Sequence, residues 1–427
     1  MTPATTESPA LGAAAPERAR IRLRHVAPAG SPIRPADLAR WTGRLFSGGD
    51  ALAELRAFVR ETTGVRHCFP ISTGRAGMTV LLEALHRLAP DRDEVLMPAY
   101  TCYSVAASAV KAGLRPRLVD IDATTLDMSA SGLHAVDGRR VLALIATNLY
   151  GIPNDLAAHQ RAATRMGAFL IDDAAQAMGA TTGGRASGTW GDAGLYSLDK
   201  GKNISAIDGG LLVTNSDAVA GELERAMQSL VEPALSAVAA DALKVLAYSV
   251  LLPPSVYWIP KSIPQLGLGQ TPFTTGYPLQ RMPALLAKLA LTMLPRLANY
   301  NAQRRAHAQT LIEGIAAIEG VRVPVALPGS TPVYLRLPLL LADASRQQRL
   351  IDALNGQGVG ASGSYPTSLA DVPELQPHLA NPAEEMPGAR AVAASIVTVP
   401  THPYVAQRDL DAIVHTLRAT LTTASAA

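Results

Sequence analysis

Between residues 66 and 215, short apolar runs alternate with amphipathic stretches. "EVLMPA" gives way to "SVAASAVKAG" and then "RPRLVDID"; "RRVLALIAT" gives way to "DLAAHQRAATRMG" and then "AFLIDDAA". Apolar runs this short, separated by helix-length segments, predict βαβ units and a mostly parallel sheet. Asn154 or Asp155 can cap the helix after "YGIP", and Gly167 can end it. Ligands of such sheets sit at the carboxyl ends of the strands. That brings forward the polar residues of "DDAAQA", residues 172–177, for which helix or turn capping is the plainer reading.

Farther along, "TPVYLRLPLLL" alternates like a strand, "QQRLIDALNGQG" reads as a helix stopped at glycine, and "DLDAIVHTLRATL" as a last helix. The pattern divides the chain into a loose tail over residues 1–30, a large lobe over 31–265 and a smaller α/β lobe over 266–427. The tail is rich in Ala, Pro and Thr and has no apolar core of a signal peptide. The most apolar stretch, residues 242–260, is broken by Lys244 and Pro253–Pro254, too soon for a membrane span. A buried helix or a subunit interface accounts for it first, peripheral membrane contact second.

Composition narrows the class. With 48% hydrophobic and 17% charged residues, a chain of 427 residues can bury a large core and is neither disordered nor fibrous. A net charge of +3 without a dense Lys/Arg block argues against nucleic acid as the partner. Cys68 and Cys102 are the sole cysteines, so there is no disulfide framework and no four-cysteine zinc site; the expected location is the cytoplasm.

The candidate chemistry centres on "YSLDKGKNISAIDGG", residues 196–210, which crowds Lys200 and Lys202 ahead of paired glycines. A Walker loop fails on spacing: Gly194 stands six residues before "GKN", and Asn203 occupies the place of the magnesium-binding hydroxyl. "GVGASG", residues 358–363, matches a dinucleotide fingerprint but follows a helical pattern, so a helix stop explains it. A lysine that binds pyridoxal phosphate covalently makes further demands, namely a carboxylate for the pyridine nitrogen and donors for a dianionic phosphate. "STGRAGMTVLLEAL" places small residues just before an amphipathic helix, whose free amides and dipole would hold phosphate, and Ser197 can add a hydroxyl.

In this order and spacing, "STGRAGM", "DDAAQAMGA", "GTWGDAGLYSLDKGKN" and "DGGLLVTN" resemble the DegT/StrS-type nucleotide-sugar aminotransferases, pyridoxal-phosphate enzymes of the aspartate-aminotransferase fold. The resemblance implies an α/β fold of type I, with a large mostly parallel-sheet domain and a smaller C-terminal one. It implies that Lys202 carries the cofactor and acts as general base and acid, with Lys200 a neighbour at the surface or phosphate side. By the same resemblance Asp173 faces the pyridine nitrogen, Gln176 lies near the phenolic oxygen, and Ser197 with the Gly74 and Arg75 amides holds the phosphate.

Several positions depart from that pattern. Cys102 stands where an aromatic usually stacks on the cofactor ring, so Tyr100 or Tyr103 is expected to take over. Arg75 follows the phosphate-loop glycine in place of Ser or Thr, and Asn148 in "TNLYG" replaces a histidine. "TTGYPLQRMPAL" resembles a segment that reaches into the neighbouring subunit, with Pro278 or Leu279 in place of asparagine. Tyr365 in "SGSYPTSL" is a candidate substrate contact or a core tyrosine, and His402 a structural residue. The implied reaction moves an amino group from an amino acid, typically glutamate, to a keto-sugar nucleotide on a homodimer with composite sites, in polysaccharide or secondary-metabolite sugar biosynthesis. A pyridoxal-phosphate lyase or dehydratase and a non-catalytic cofactor-binding regulator are the alternatives; the retained lysine speaks against the dehydratase branch, which has histidine there.

Overall fold

The four runs expected as parallel strands do pair as neighbours. In the computed structural model, which describes residues 23–263, 269 and 272–422, they are β2 (Glu94–Pro98), β3 (Arg115–Val119), β4 (Val141–Thr147) and β5 (Phe169–Asp173), after an edge strand β1 (His67–Ile71). A short hairpin, β6 (Thr181–Thr182) and β7 (Arg185–Ala186), precedes β8 (Ala193–Ser197) and β9 (Gly210–Thr214). The central sheet has the order β1-β9-β8-β5-β4-β2-β3. β9 pairs antiparallel with both β1 and β8, so it alone runs against the other strands. β2, β4, β8 and β9 are buried along their whole length because helices cover both faces, and this is why they read as continuous apolar runs.

Local chemistry sets the crossover helices. The helix Gly74–Leu88 starts at Thr73, whose hydroxyl accepts from the Ala76 amide at 2.9 Å, and its buried face runs through Met78, Leu81, Leu82 and Leu85. Asp155 rather than Asn154 caps the helix Leu156–Met166, accepting from the Ala158 amide at 2.8 Å, and Gly167 ends it at φ 61°. Asn154 is turned inward instead, its amide nitrogen donating to Thr147 O at 3.0 Å.

β11 (Ser330–Thr331) pairs with β6, and the smaller lobe is built on β10 (Val321–Arg322), β12 (Arg336–Leu341) and β13 (Ile396–Pro400), all antiparallel. Its core joins Leu337, Leu339, Val397 and Val399 to Leu350 and Leu354 of the helix Gln347–Gly356 and Ile413 and Leu417 of the helix Gln407–Thr422. The expected lobe boundary at 265 and 266 lies outside the described residues. The helix Ala284–Met293, expected in the smaller lobe, packs through Leu286, Leu289 and Ala290 with Trp41 and Leu55 of the large one. The helix Leu297–Ile315 then spans both, with Tyr300 in the large-lobe core and Ala308, Leu311 and Ile315 in the smaller-lobe core.

Two other expectations change. Residues 1–22 lie outside the described ones, but the tail assigned to 1–30 is already part of the fold at residue 25. The His25 amide donates to Pro254 O and the Val26 amide to Gly358 O, both at 2.8 Å, and Val26 is fully buried in the smaller lobe's core. His402 Nε2 donates to Ala27 O at 2.9 Å, and burial pushes its pKa down to about 4, so it serves as a neutral brace, the structural role expected of it. The apolar stretch at 242–260 is not a buried helix. The helix Leu235–Leu251 buries Val245 yet exposes Leu235, Leu243, Leu246 and Val250, and among the described residues no helix is long and apolar enough to cross a membrane.

If residues 23–30 belong to the core, Val26→Ala removes two buried methyl groups and lowers the unfolding free energy by about 1–2 kcal/mol. A urea midpoint unchanged from wild type would show that the segment contributes nothing.

Candidate active site

Three strands end at one place. Thr147, Asp173 and Ser197 close β4, β5 and β8, and the helix Gly74–Leu88 points its amino terminus at them. Together with Arg75, Cys102, Ser108, Gln176, Asp199, Lys202, Asp208 and Tyr277 they line a cleft of about 290 Å³. The site lies where strand carboxyl ends in an open α/β sheet leave a crevice.

The anion end is built by close packing. A side chain at Gly74 would bring a Cβ to 3.2 Å from Ser197 Oγ, and one at Gly210 would meet Thr73 O at 2.8 Å and Gly74 Cα at 2.9 Å. Glycine at both positions therefore lets β9, Ser197 and the helix start touch. The first-turn amides of Gly74 and Arg75 have no acceptor within the helix, and the helix dipole adds to them. The Arg75 guanidinium stands 5.1 Å from the centre of the Tyr277 ring, with Lys111 Nζ at 4.9 Å from the same ring.

Adjacent aspartates on β5 point to opposite faces, as strand geometry requires. Asp173 lines the cleft, with one oxygen accepting from the Ala175 amide at 3.0 Å; burial raises its pKa, opposed by that bond and by Lys202. Asp172 faces away. It accepts from Asn148 Nδ2 at 2.8 Å and from the amides of Gly188 at 2.5 Å and Trp190 at 3.2 Å, while burial pushes its pKa up to about 7. Asn148, in the place of the expected histidine, thus braces the sheet end and does not face the cleft.

Lys202 lines the cleft; Lys200 does not, and its ammonium lies 3.7 Å from Asp199 with half its side chain exposed. The Lys202 turn is held from behind by Arg304. That guanidinium is fully buried and has no carboxylate partner among the described residues. It donates to Asn203 O at 2.9 Å, Gly30 O at 3.0 Å, Asn301 Oδ1 and Ser31 Oγ at 3.2 Å, and Lys202 O at 3.4 Å. Ser31 Oγ in turn donates to Asn203 O at 2.7 Å.

The tyrosines expected over the ring are turned away. Tyr100 is fully buried and meets the Tyr365 ring edge-on at 5.6 Å, and Tyr103 OH bonds Thr367 Oγ1 at 2.7 Å. Neither lines the cleft, whereas Cys102 does, its thiol 3.0 Å from Ser104 Oγ. The reason is local: Cys102 is the N-cap of the helix Tyr103–Lys111, and the residues flanking it are drawn to the smaller lobe. Tyr365 stands one layer back, its hydroxyl accepting from Gln176 Nε2 at 2.9 Å, while Gln176 Oε1 takes the Tyr150 amide at 2.9 Å. The segment expected to reach a neighbouring subunit lies over this chain's own cleft, where Tyr277 OH meets Thr79 Oγ1 at 2.7 Å.

Sequence reasoning missed Asp199 and Asp208, which face the cleft together; burial first and Asp199 second push the Asp208 pKa up to about 7. Asp208 sits in the quoted "IDGG", so its place before the paired glycines was a usable signal. Arg304 had none, because its role depends on a contact across a hundred residues.

Known proteins match this architecture. The sequence profile of the DegT/DnrJ/EryC1/StrS aminotransferase family matches residues 38–418. The chain belongs to that family. It is 27% identical over 379 residues, 88% of this chain and 90% of the relative, to the UDP-N-acetyl-3-dehydro-alpha-D-glucosamine 3-aminotransferase of Acidithiobacillus ferrooxidans. It is 26% identical over 397 residues, 91% of this chain and 95% of the relative, to the dTDP-3-amino-3,4,6-trideoxy-alpha-D-glucose transaminase of Micromonospora megalomicea subsp. nigra. Among solved structures, the aminotransferase TlmJ from Streptoalloteichus hindustanus superposes with a TM-score of 0.74 at 23% identity, covering 93% of this chain and 99% of that one. The fold is therefore type I of the pyridoxal-phosphate enzymes, and the protein is an aminotransferase.

The two aspartates of β5 give a paired test. Asp172→Asn turns an amide NH2 toward a donor and strands at least one buried bond, so stability falls by about 1–3 kcal/mol. Asp173→Asn, with one oxygen uncommitted, leaves the thermal midpoint close to wild type. Equal midpoints for the two variants would contradict the opposed orientation.

Proposed function

We propose that the protein is a pyridoxal-phosphate-dependent aminotransferase that moves an amino group from an amino acid, with glutamate the expected donor, to a keto-sugar nucleotide. One observation carries the cofactor reading: a lysine, a buried carboxylate and an amide-lined helix start converge on one cleft. The fit extends to detail. Thr147 Oγ1 is buried at the cleft without a hydrogen-bond partner among the described residues, and the Gly74 contact sets the Ser197 hydroxyl against the helix start. The names of the two relatives support a sugar nucleotide as acceptor.

Pyridoxal phosphate, when bound, supplies an electron sink that stabilises negative charge on the carbon bearing the amine. The Gly74 and Arg75 amides and Ser197 would hold its phosphate, Asp173 would keep its ring nitrogen protonated, and Gln176 would lie beside its phenolic oxygen. A buried carboxylate whose pKa is raised by burial gains a charged partner in that ring, which favours its ionised form. Lys202 Nζ would hold the cofactor and then take and return the substrate's proton, its backbone fixed meanwhile by Arg304 and Ser31. Cys102 would lie against the ring with little area to stack. We assign the enzyme to the cytoplasm, which its two free cysteines suit, and to a homodimer, for which the exposed Leu235, Leu243, Leu246 and Val250 offer a contact face.

Borohydride treatment of the purified protein should fix a chromophore on one peptide, and mass spectrometry should place it at Lys202; a label at Lys200, or none, would overturn the assignment. Lys202→Ala should abolish transamination with the fold retained, and Asp173→Asn should lower turnover by orders of magnitude while the phosphate still binds.

Cys102 allows a gain-of-contact test. Since neither Tyr100 nor Tyr103 lines the cleft, Cys102→Phe adds an aromatic face worth about 0.5–1.5 kcal/mol beyond burial, and cofactor should dissociate several-fold more slowly. A faster off-rate in stopped-flow competition would mean that the cleft is already filled at this point.

A further inference from the structure

The two chains that flank the Lys202 turn bring a pair of acids together. Ser197 pairs with Gly210 across β8 and β9, and just beyond them the Leu198 amide donates to Gly209 O at 2.9 Å. Asp199 and Asp208 come next on the two chains, and both line the cleft. Ser197 and Asp199, two residues apart on one chain, share a strand face. Like charges set opposite each other across a strand pair repel.

Neither acid has a full counter-charge. Asp208 accepts from the Gly209 amide at 2.9 Å and makes no ion pair among the described residues. Asp199 accepts from the Lys200 amide at 2.6 Å, with the half-exposed Lys200 ammonium 3.7 Å away. That ammonium also donates to Ile207 O at 3.4 Å, so one solvent-screened cation serves both chains. The helix Leu235–Leu251 brings a further acid, Asp241, whose own partner is Lys244 at 2.8 Å, and Tyr248, a phenol kept neutral chiefly by burial. The other charged groups of the cleft are Arg75, Asp173 and Lys202. Burial first and Asp199 second raise the Asp208 pKa, Asp241 adds least, and the Gly209 amide and Lys200 oppose them.

Receptors for an anion stand beside this pair. Ser197 is buried, its oxygen accepts a 3.5 Å bond from the Asp199 amide, and its hydroxyl hydrogen has no acceptor among the described residues. A Cβ at Gly210 would come within 2.9 Å of the Gly74 nitrogen, so the helix start lies against the same strand pair. A phosphate held by Ser197 and the first-turn amides is therefore about one strand repeat, roughly 7 Å, from the acids. A dianion at that distance repels their carboxylates and favours the protonated form.

We propose that Asp208 binds the cofactor's phosphate as a carboxylic acid: it takes up a proton from water as the phosphate enters, and its O–H donates to a phosphate oxygen while Asp199 stays ionised. The proposal rests on the pyridoxal-phosphate reading above. Linkage fixes the sign. Where Asp208 is protonated with and without the anion, affinity does not change with pH. Between its free pKa, about 7, and the higher value it has beside the anion, binding takes up a proton and affinity falls as pH rises.

The test titrates the cofactor-free full chain with sulfate, a dianion at every pH used, in calorimetry. From about pH 6 to about pH 9 the wild-type Kd should rise roughly 10-fold, as when an anion lifts a neighbouring pKa by about one unit. Asp208→Asn keeps an N–H donor but cannot ionise, so its Kd should change by less than about two-fold and lie below that of wild type at the alkaline end. Asp199→Asn removes the facing charge, so the fall in affinity should begin at lower pH; if Asp208→Asn misfolds, that shift decides. Buffers of different ionisation heat should count about one proton taken up by wild type just above neutrality and none by Asp208→Asn. Release of pyridoxal phosphate from the loaded enzyme should quicken with pH more steeply in wild type than in Asp208→Asn. Pyridoxal, which lacks the phosphate, should bind the two with the same pH dependence. Parallel sulfate curves for wild type and both variants, with no proton taken up, overturn the proposal, and so does a pyridoxal difference as large as the sulfate one. A chain that takes up no pyridoxal phosphate overturns the cofactor reading instead, while the sulfate titration still reads on Asp208.

Discussion

One buried guanidinium ties the active site to the rest of the chain. Arg304 sits on the helix Leu297–Ile315, which spans both lobes, and its two terminal nitrogens donate to carbonyls of Gly30, Lys202 and Asn203, while Nε is buried without a partner among the described residues. A buried charge without an anion is tolerated only where dense polar partners solvate it, and here those partners are the backbone of the Lys202 turn and of residues 30 and 31. Burial draws its pKa down to about 10, still well above neutrality, so the clamp stays charged. The lysine's position, the ordering of residues 23–31 and the join between lobes are therefore parts of one hydrogen-bonded unit.

Around that unit the cleft gathers charge of both signs. Amides and the helix dipole gather at Gly74 and Arg75, where an anion is favoured, while the Asp173 carboxylate favours a cation and lies within electrostatic reach of Lys202. A helix start that favours an anion and a carboxylate that favours a cation suit a ligand carrying both a phosphate and a protonatable nitrogen, and the two faces of β5 explain why neighbouring aspartates have different duties. Asp172 completes the fold by satisfying three donors, whereas Asp173 keeps an oxygen for the site.

Much of the fold was legible because its signals are local. Apolar runs at strand length, caps such as Asp155 and stops such as Gly167 act within a few residues, and β2 to β5 with their crossover helices follow them. The family motif likewise lies within the strands and turns that meet at the cleft, so Gly74, Asp173, Gln176, Ser197 and Lys202 came together as expected. The aromatic substitute for Cys102 failed for a physical reason: neighbours in sequence at a helix start point in different directions, and Tyr100 and Tyr103 find their partners across the lobe junction in Tyr365 and Thr367.

The sequence by itself determined the α/β class, the parallel strands β2 to β5 with their crossover helices, and the residue types that stand around Lys202, because periodicity, capping and motif spacing are written along the chain. The tertiary structure alone decided what distance in sequence hides. It set residues 25 and 26 into the fold beside the smaller lobe, assigned the helix Ala284–Met293 to the large lobe, and put Tyr277 over the cleft and Tyr365 behind Gln176. Each depends on which side chains meet across tens to hundreds of residues, and such meetings follow from packing, which no local pattern encodes.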